Sequence, residues 1–74
     1  MPKLPQISGR DCVKALEKAG FHFLRQTGSH IHVRRDIPFA QVAIPNHKPI
    51  KRGTLQSIIR QSGLSVDEFL ELLK

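Results

Sequence analysis

The sequence predicts an α+β fold in which helices cover one face of a three-stranded antiparallel sheet. Three observations predict it. Apolar residues recur at helical spacing near both ends of the chain, the middle alternates with a period of two, and Ser, Gly and Pro mark the joins. The 74 residues suffice for one domain spanning 1–74, with 1–6 as an extended leader set by Pro2 and Pro5. A chain this short buries only about 60% of the surface exposed when unfolded. Its core is expected to be thin, and a deep enclosed cavity is not expected.

Ser8-Gly9-Arg10-Asp11 reads as a capping box, with Ser8 at the N-cap and Asp11 three residues on. Asp is shorter than the usual Glu, so its return bond is expected to be the weaker kind. Cys12, Val13, Leu16 and Ala19 follow at helical spacing, and Gly20 is a natural stop. Arg10, Lys14 and Lys18 line the outer face of this helix. Phe21 to Gln26 reads as a strand, with Thr27-Gly28 where a tight hairpin needs glycine. Ser29 to Arg34 is a second strand. Ile31 and Val33 point one way, and His30, His32 and Arg34 point the other. Arg35-Asp36-Ile37-Pro38 is a turn, and Gln41 to Ile44 is a third strand with Val42 and Ile44 inward. Phe21, Phe23 and Phe69 are expected in the core, and Phe39 just after a turn.

Pro45-Asn46-His47-Lys48-Pro49 reads as a stiff loop, because two prolines fix backbone angles. A second helix is expected over Lys51 to Gln61, with Leu55, Ile58 and Ile59 buried and Gly63 ending it. Ser65-Val66-Asp67-Glu68 is a second capping box with Glu at the preferred position. It opens a last helix with Val66, Phe69, Leu70 and Leu73 on one side. The order α-β-β-β-α-α looks like a double-stranded-RNA-binding fold with an extra C-terminal helix.

The net charge is +6 and the pI about 10.3. Residues 1–35 hold seven Lys/Arg against two acids, whereas residues 64–74 hold one against three. A basic body with an acidic tail favours a polyanionic partner such as RNA, through phosphate contacts and counterion release. No apolar run approaches the ~20 residues of a membrane span. The N-terminus has no signal-peptide apolar core, and Cys12 has no disulfide partner, so a cytoplasmic location is expected.

His30 is the leading candidate for chemistry. Histidine exchanges protons near neutral pH, and RNA supplies its own nucleophile, the 2′-hydroxyl beside each phosphate. A histidine with nearby cations can therefore cut RNA without a metal or cofactor. His30 follows the Gly28-Ser29 turn at the sheet rim, with His32 roughly 7 Å along the same face. The alternative is a surface histidine on an open sheet. His47, beside Lys48, Lys51 and Arg52, reads as a contact to RNA or to a partner protein, or equally as a solvated loop residue. His22 reads as structural or surface. His30-x-His32 with His47 is a weak zinc pattern, lacking a Cys pair or a suitably spaced carboxylate. Cys12 falls on an apolar stripe and reads as core. The scarcity of exposed aromatic residues disfavours a single-strand-binding module.

Gly28-Ser29-His30 resembles the catalytic segment of the HicA (YcfA-like) toxins, the messenger-RNA interferases of HicA–HicB pairs. Ser8-Gly9-Arg10-Asp11 with Leu16-Glu17-Lys18-Ala19-Gly20-Phe21 resembles that family's opening helix and turn. Ile44-Pro45-Asn46-His47 is similar to its V-P-x-H segment, and Lys51-Arg52-Gly53-Thr54-Leu55 to its K-x-G-T-L segment. Gln61-Ser62-Gly63-Leu64-Ser65 and the tail containing Phe69 resemble its ending. The resemblance implies a toxin that cleaves messenger RNA with His30 and is blocked by a HicB-type antitoxin. Charge and position add Arg34, Lys48, Lys51 and Arg52 as RNA contacts, Ser29 is expected to help position the phosphate, and His47 joins them as a candidate RNA contact. The free toxin is expected to be a monomer, and the antitoxin complex a hetero-oligomer. The other function considered is a non-catalytic RNA-binding module of the same fold, or a protein whose basic surface meets only an acidic partner.

Overall fold

The computed structural model describes residues 4–74. Its elements run α1 (Gly9–Lys18), β1 (His22–Thr27), β2 (His30–Arg35), β3 (Ala40–Pro45), α2 (Arg52–Gln61) and α3 (Val66–Leu72). This is the expected α-β-β-β-α-α order, and the antiparallel sheet is ordered β1-β2-β3. Of the expected leader, residues 1–3 lie outside the described residues. Residues 4–8 belong to no helix or strand, and Leu4 and Ile7 pack against the core.

Both capping boxes form. Asp11 N–H donates to Ser8 Oγ at 3.1 Å, but the return bond from Ser8 N–H to Asp11 Oδ2 stretches to 3.5 Å. At α3 the longer Glu68 closes the same bond to 2.9 Å. The Ser65 backbone and hydroxyl bonds hold the Glu68 carboxyl below its ordinary value. One methylene in the side chain accounts for the difference between the two boxes.

The inner sheet face carries Ile31, Val33, Val42 and Ile44, all buried. Against it pack Cys12, Ala15 and Leu16 of α1, Leu55, Ile58 and Ile59 of α2, and Phe69 of α3. Phe21 lies one residue before β1 yet is 3% exposed. Phe23 departs from expectation, because it is 55% exposed. It pairs with Val33, so it faces the helices, but β1 is an edge strand and nothing among the described residues covers its outer flank. The register slips between Phe23 and Arg25, leaving Leu24 as an extra residue. Such a bulge bends an edge strand and discourages pairing with another chain.

Arg35 closes β2 on the core side. Its Nε donates to the Pro38 carbonyl at 3.0 Å and its Nη2 to the Ser62 carbonyl at 3.1 Å. The guanidinium also lies over the Phe21 ring, 4.8 Å from its centroid. One charge thereby ties the β2–β3 turn to the end of α2. The turn itself leaves Ile37 and Phe39 exposed.

α1 begins hard against the chain that leaves β3. A Cβ at Gly9 would overlap the Pro45 carbonyl oxygen, and Gly9 N–H donates to the His47 carbonyl at 2.9 Å. Backbone bounds the site, so no flexible side chain can yield. Gly9→Ala is expected to cost about 1–3 kcal/mol despite alanine's better helix propensity. Urea melts of the two proteins measure this, and an unchanged or raised midpoint would show that the approach relaxes freely.

Candidate active site

β1 and β2 meet through the two-residue turn Gly28-Ser29, and Thr27 pairs with His30. Gly28 has φ +59°, a conformation that a side chain would strain. Gln26 Nε2 braces the turn by donating to the Gly28 carbonyl at 3.1 Å. His30 therefore starts β2 on a tight hairpin and projects onto the sheet face away from the helices.

On its other side His30 pairs with Pro45, the last residue of β3. The loop that follows is fastened at three points. Asn46 N–H donates to the Ser29 carbonyl at 2.6 Å, Gly9 N–H to the His47 carbonyl, and Ile50 N–H to the Ile7 carbonyl at 2.8 Å. The first of these bonds joins the loop of His47 directly to the turn that carries His30.

Between them lies an open groove of about 590 Å³ lined by His30, Pro45, His47, Lys51 and Thr54. Ala43, Pro49, Ile50 and Gln61 also line it, and no carboxylate among the described residues borders it. Among the described residues its titratable side chains are two imidazoles and one ammonium. Lys51 is the N-cap of α2 and gives the helix no side-chain cap, and no acid occupies the first turn. The first N–H groups of α2, which no helix pairs internally, therefore also lack a capping side chain, and they add positive potential at that end of the groove. The sequence reading missed Thr54 and this uncapped terminus. Lysine at position 51, where Ser, Thr, Asp or Asn would cap, was the available signal.

The remaining sequence candidates lie outside this groove. Ser29 contributes its carbonyl to the loop bond. Arg34 shares the face of His30, but four residues along β2 put it roughly 13 Å away. Its guanidinium is also held by Asp36, with Nη2 to Oδ1 at 3.0 Å. Lys48 is exposed beside the groove, and Arg52 borders a separate hollow with Leu4, Pro5 and Gln6. His32 sits half-buried at mid-face, with Arg25 and Ala43 as its strand partners. Arg25 and His22 extend the face across β1, adding positive charge that the sequence reading did not assign there. Among the described residues no three of His, Cys, Asp or Glu come close enough to hold a metal ion.

The family model of the HicA toxin of bacterial toxin–antitoxin systems matches residues 9–64. The chain belongs to the HicA toxin family. A search of curated proteins found no match. As a HicA-family member the chain is a toxin of a toxin–antitoxin system with a cognate antitoxin. The matched span contains both groove histidines, Lys51 and α2, and leaves α3 outside. No helix among the described residues is long and apolar enough to cross a membrane.

The chain's one cysteine offers this HicA toxin no nucleophile. Cys12 is fully buried in the core, and burial pushes its thiol up to about 12. An unfolded thiol ionises near its ordinary value of about 8.5. Over the interval from there up to about 12, the unfolded state binds fewer protons than the native state, so stability falls as pH rises. Urea melts at about pH 8 and about pH 11 are expected to show this loss, and Cys12→Ala a smaller one over the same interval. Equal losses in both proteins would remove Cys12 as the cause.

Proposed function

We propose that this toxin is an endoribonuclease that cuts messenger RNA, with His30 as a proton-transfer group and no requirement for metal. The place of His30 on the groove, beside Lys51 and the uncapped end of α2, carries this reading. RNA binds with a phosphate at the end of α2, where free N–H donors and Lys51 meet its oxygens. The adjacent 2′-hydroxyl then attacks phosphorus as its proton leaves, and the bond to the 5′-oxygen breaks. The products are a 2′,3′-cyclic phosphate and a 5′-hydroxyl. Because the nucleophile belongs to the substrate, the protein supplies only proton transfer and charge.

Lys48 beside the groove, with Arg52, Arg25 and the half-engaged Arg34 farther out, guides the RNA backbone without reading its bases. Ser29 and His47 complete the contact surface proposed from the sequence. A HicB-type antitoxin inhibits the toxin by covering this face, and acidic groups on it would match the basic surface. The toxin acts in the cytoplasm, as a monomer when free and as a hetero-oligomer with the antitoxin.

End-labelled RNA incubated with pure protein in excess EDTA tests the reading. Wild type is expected to leave cyclic-phosphate ends, and His30→Ala to cut at least about 100-fold more slowly while melting at the same temperature. Salt-sensitive RNA binding by both proteins with no cutting by either would instead mark an RNA-binding module. Lys51→Ala is expected to weaken RNA binding by His30→Ala protein and to lower the slope of log affinity against log salt by about one. An unchanged slope would remove the phosphate contact from Lys51.

A further inference from the structure

We infer that His47 is a second proton-transfer group of the same site, paired with His30. This rests on the ribonuclease reading and adds to it a named role for a loop residue. Cleavage needs two proton movements. One removes the proton of the 2′-hydroxyl as the bond from that oxygen to phosphorus forms. The other delivers a proton to the 5′-oxygen as its bond to phosphorus breaks, since an alkoxide is a poor leaving group in water. One imidazole base and one imidazolium acid balance the step, and their protonation states are exchanged at its end.

The groove offers few groups for the second task. Among the described residues its titratable side chains are His30 from β2, His47 from the 45–50 loop and Lys51 from the start of α2, and no carboxylate of those residues lines it. Lysine ammonium groups as a class release their proton only well above neutral pH, which makes them poor acids at pH 7. Imidazole suits both tasks, and His47 is the other imidazole on the groove.

Backbone geometry adds an independent reason. A loop histidine with no fixed role needs no anchoring, yet this loop is bonded to the turn of His30, to the first residue of α1 and to Ile7. The bond from Asn46 N–H to the Ser29 carbonyl sets the two histidine-bearing segments in a fixed relation. Proton-transfer groups must be held to a fraction of an ångström, so such fastening matters. The His47 ring is exposed and no hydrogen bond among the described residues engages it, leaving it available to substrate.

The test compares wild type, His30→Ala and His47→Ala on one RNA of mapped cleavage site. A second RNA carries sulfur in place of the 5′-oxygen at that bond. A thiolate leaves without a proton, so loss of the general acid is repaired by the sulfur substrate and loss of the base is not. His47→Ala is expected to lower kcat on ordinary RNA at least about 100-fold, with KM changed by less than about fivefold. One and only one of the two variants should recover to within about tenfold of wild type on the sulfur RNA. Recovery of His47→Ala makes His47 the acid, and recovery of His30→Ala makes it the base. His47→Gln replaces the alanine variant if that protein melts early. Wild-type kcat in the His47 variant, a defect confined to KM, or recovery of neither variant overturns the pairing. Failure of wild type to cut any RNA overturns the ribonuclease reading and the pairing with it, whereas full activity of His30→Ala overturns the assignment of His30 and the pairing together and leaves the ribonuclease activity standing.

Discussion

The close approach of α1 to the chain leaving β3 organises everything near the groove. Only glycine at position 9 lets the helix start against the Pro45 carbonyl, and its N–H then binds the His47 carbonyl. That contact fixes where the 45–50 loop runs. The loop in turn fixes the start of α2, because Ile50 is buried and bonded to Ile7 just before the helix begins. Three segments far apart in sequence thus share one small set of backbone bonds. Backbone bonds suit this purpose, since they position a segment without drawing on the side chains needed for chemistry.

Charge is divided between two kinds of work. Arg35 is spent on the fold, bound to two carbonyls and laid over Phe21. Arg34 is partly neutralised by Asp36, the one acid of the strand region. Lys51 is exposed and borders the groove without an ion-pair partner among the described residues. A net charge of +6 therefore overstates the charge available to an anionic ligand. What matters is the potential at the groove, where a lysine, an uncapped helix end and the absence of carboxylates act together.

The open sheet face and the core also differ in how they tolerate exposure. The core packs Phe69, Leu16 and Cys12 to near-zero accessibility, and its thiol is inert. The outer face keeps His22, Arg25 and His30 in solvent. A sheet covered on one side only produces this division directly, since alternate residues of each strand fall on opposite faces. The open face costs the small fold some burial, which the third helix offsets by bringing Phe69 into the core.

The sequence by itself determined the order of elements, the inward residues of β2 and β3, both capping boxes and the hairpin at Gly28. These depend on neighbours within a few residues, where spacing and side-chain length decide the outcome, as Asp11 and Glu68 show. It also carried the family resemblance and singled out His30. Tertiary structure decided the rest. Phe23 has the hydrophobicity of a core residue, but its exposure follows from β1 lying at the sheet edge, which no local pattern encodes. Arg34 and Arg35 are adjacent and chemically alike, yet one faces Asp36 and the other Phe21 and Ser62, because alternation sends them to opposite faces. His30 and His47 stand seventeen positions apart in the chain. Only the pairing of β2 with β3, and the loop bonds beyond it, bring them to one groove, because contacts between distant segments are set by packing rather than by local sequence.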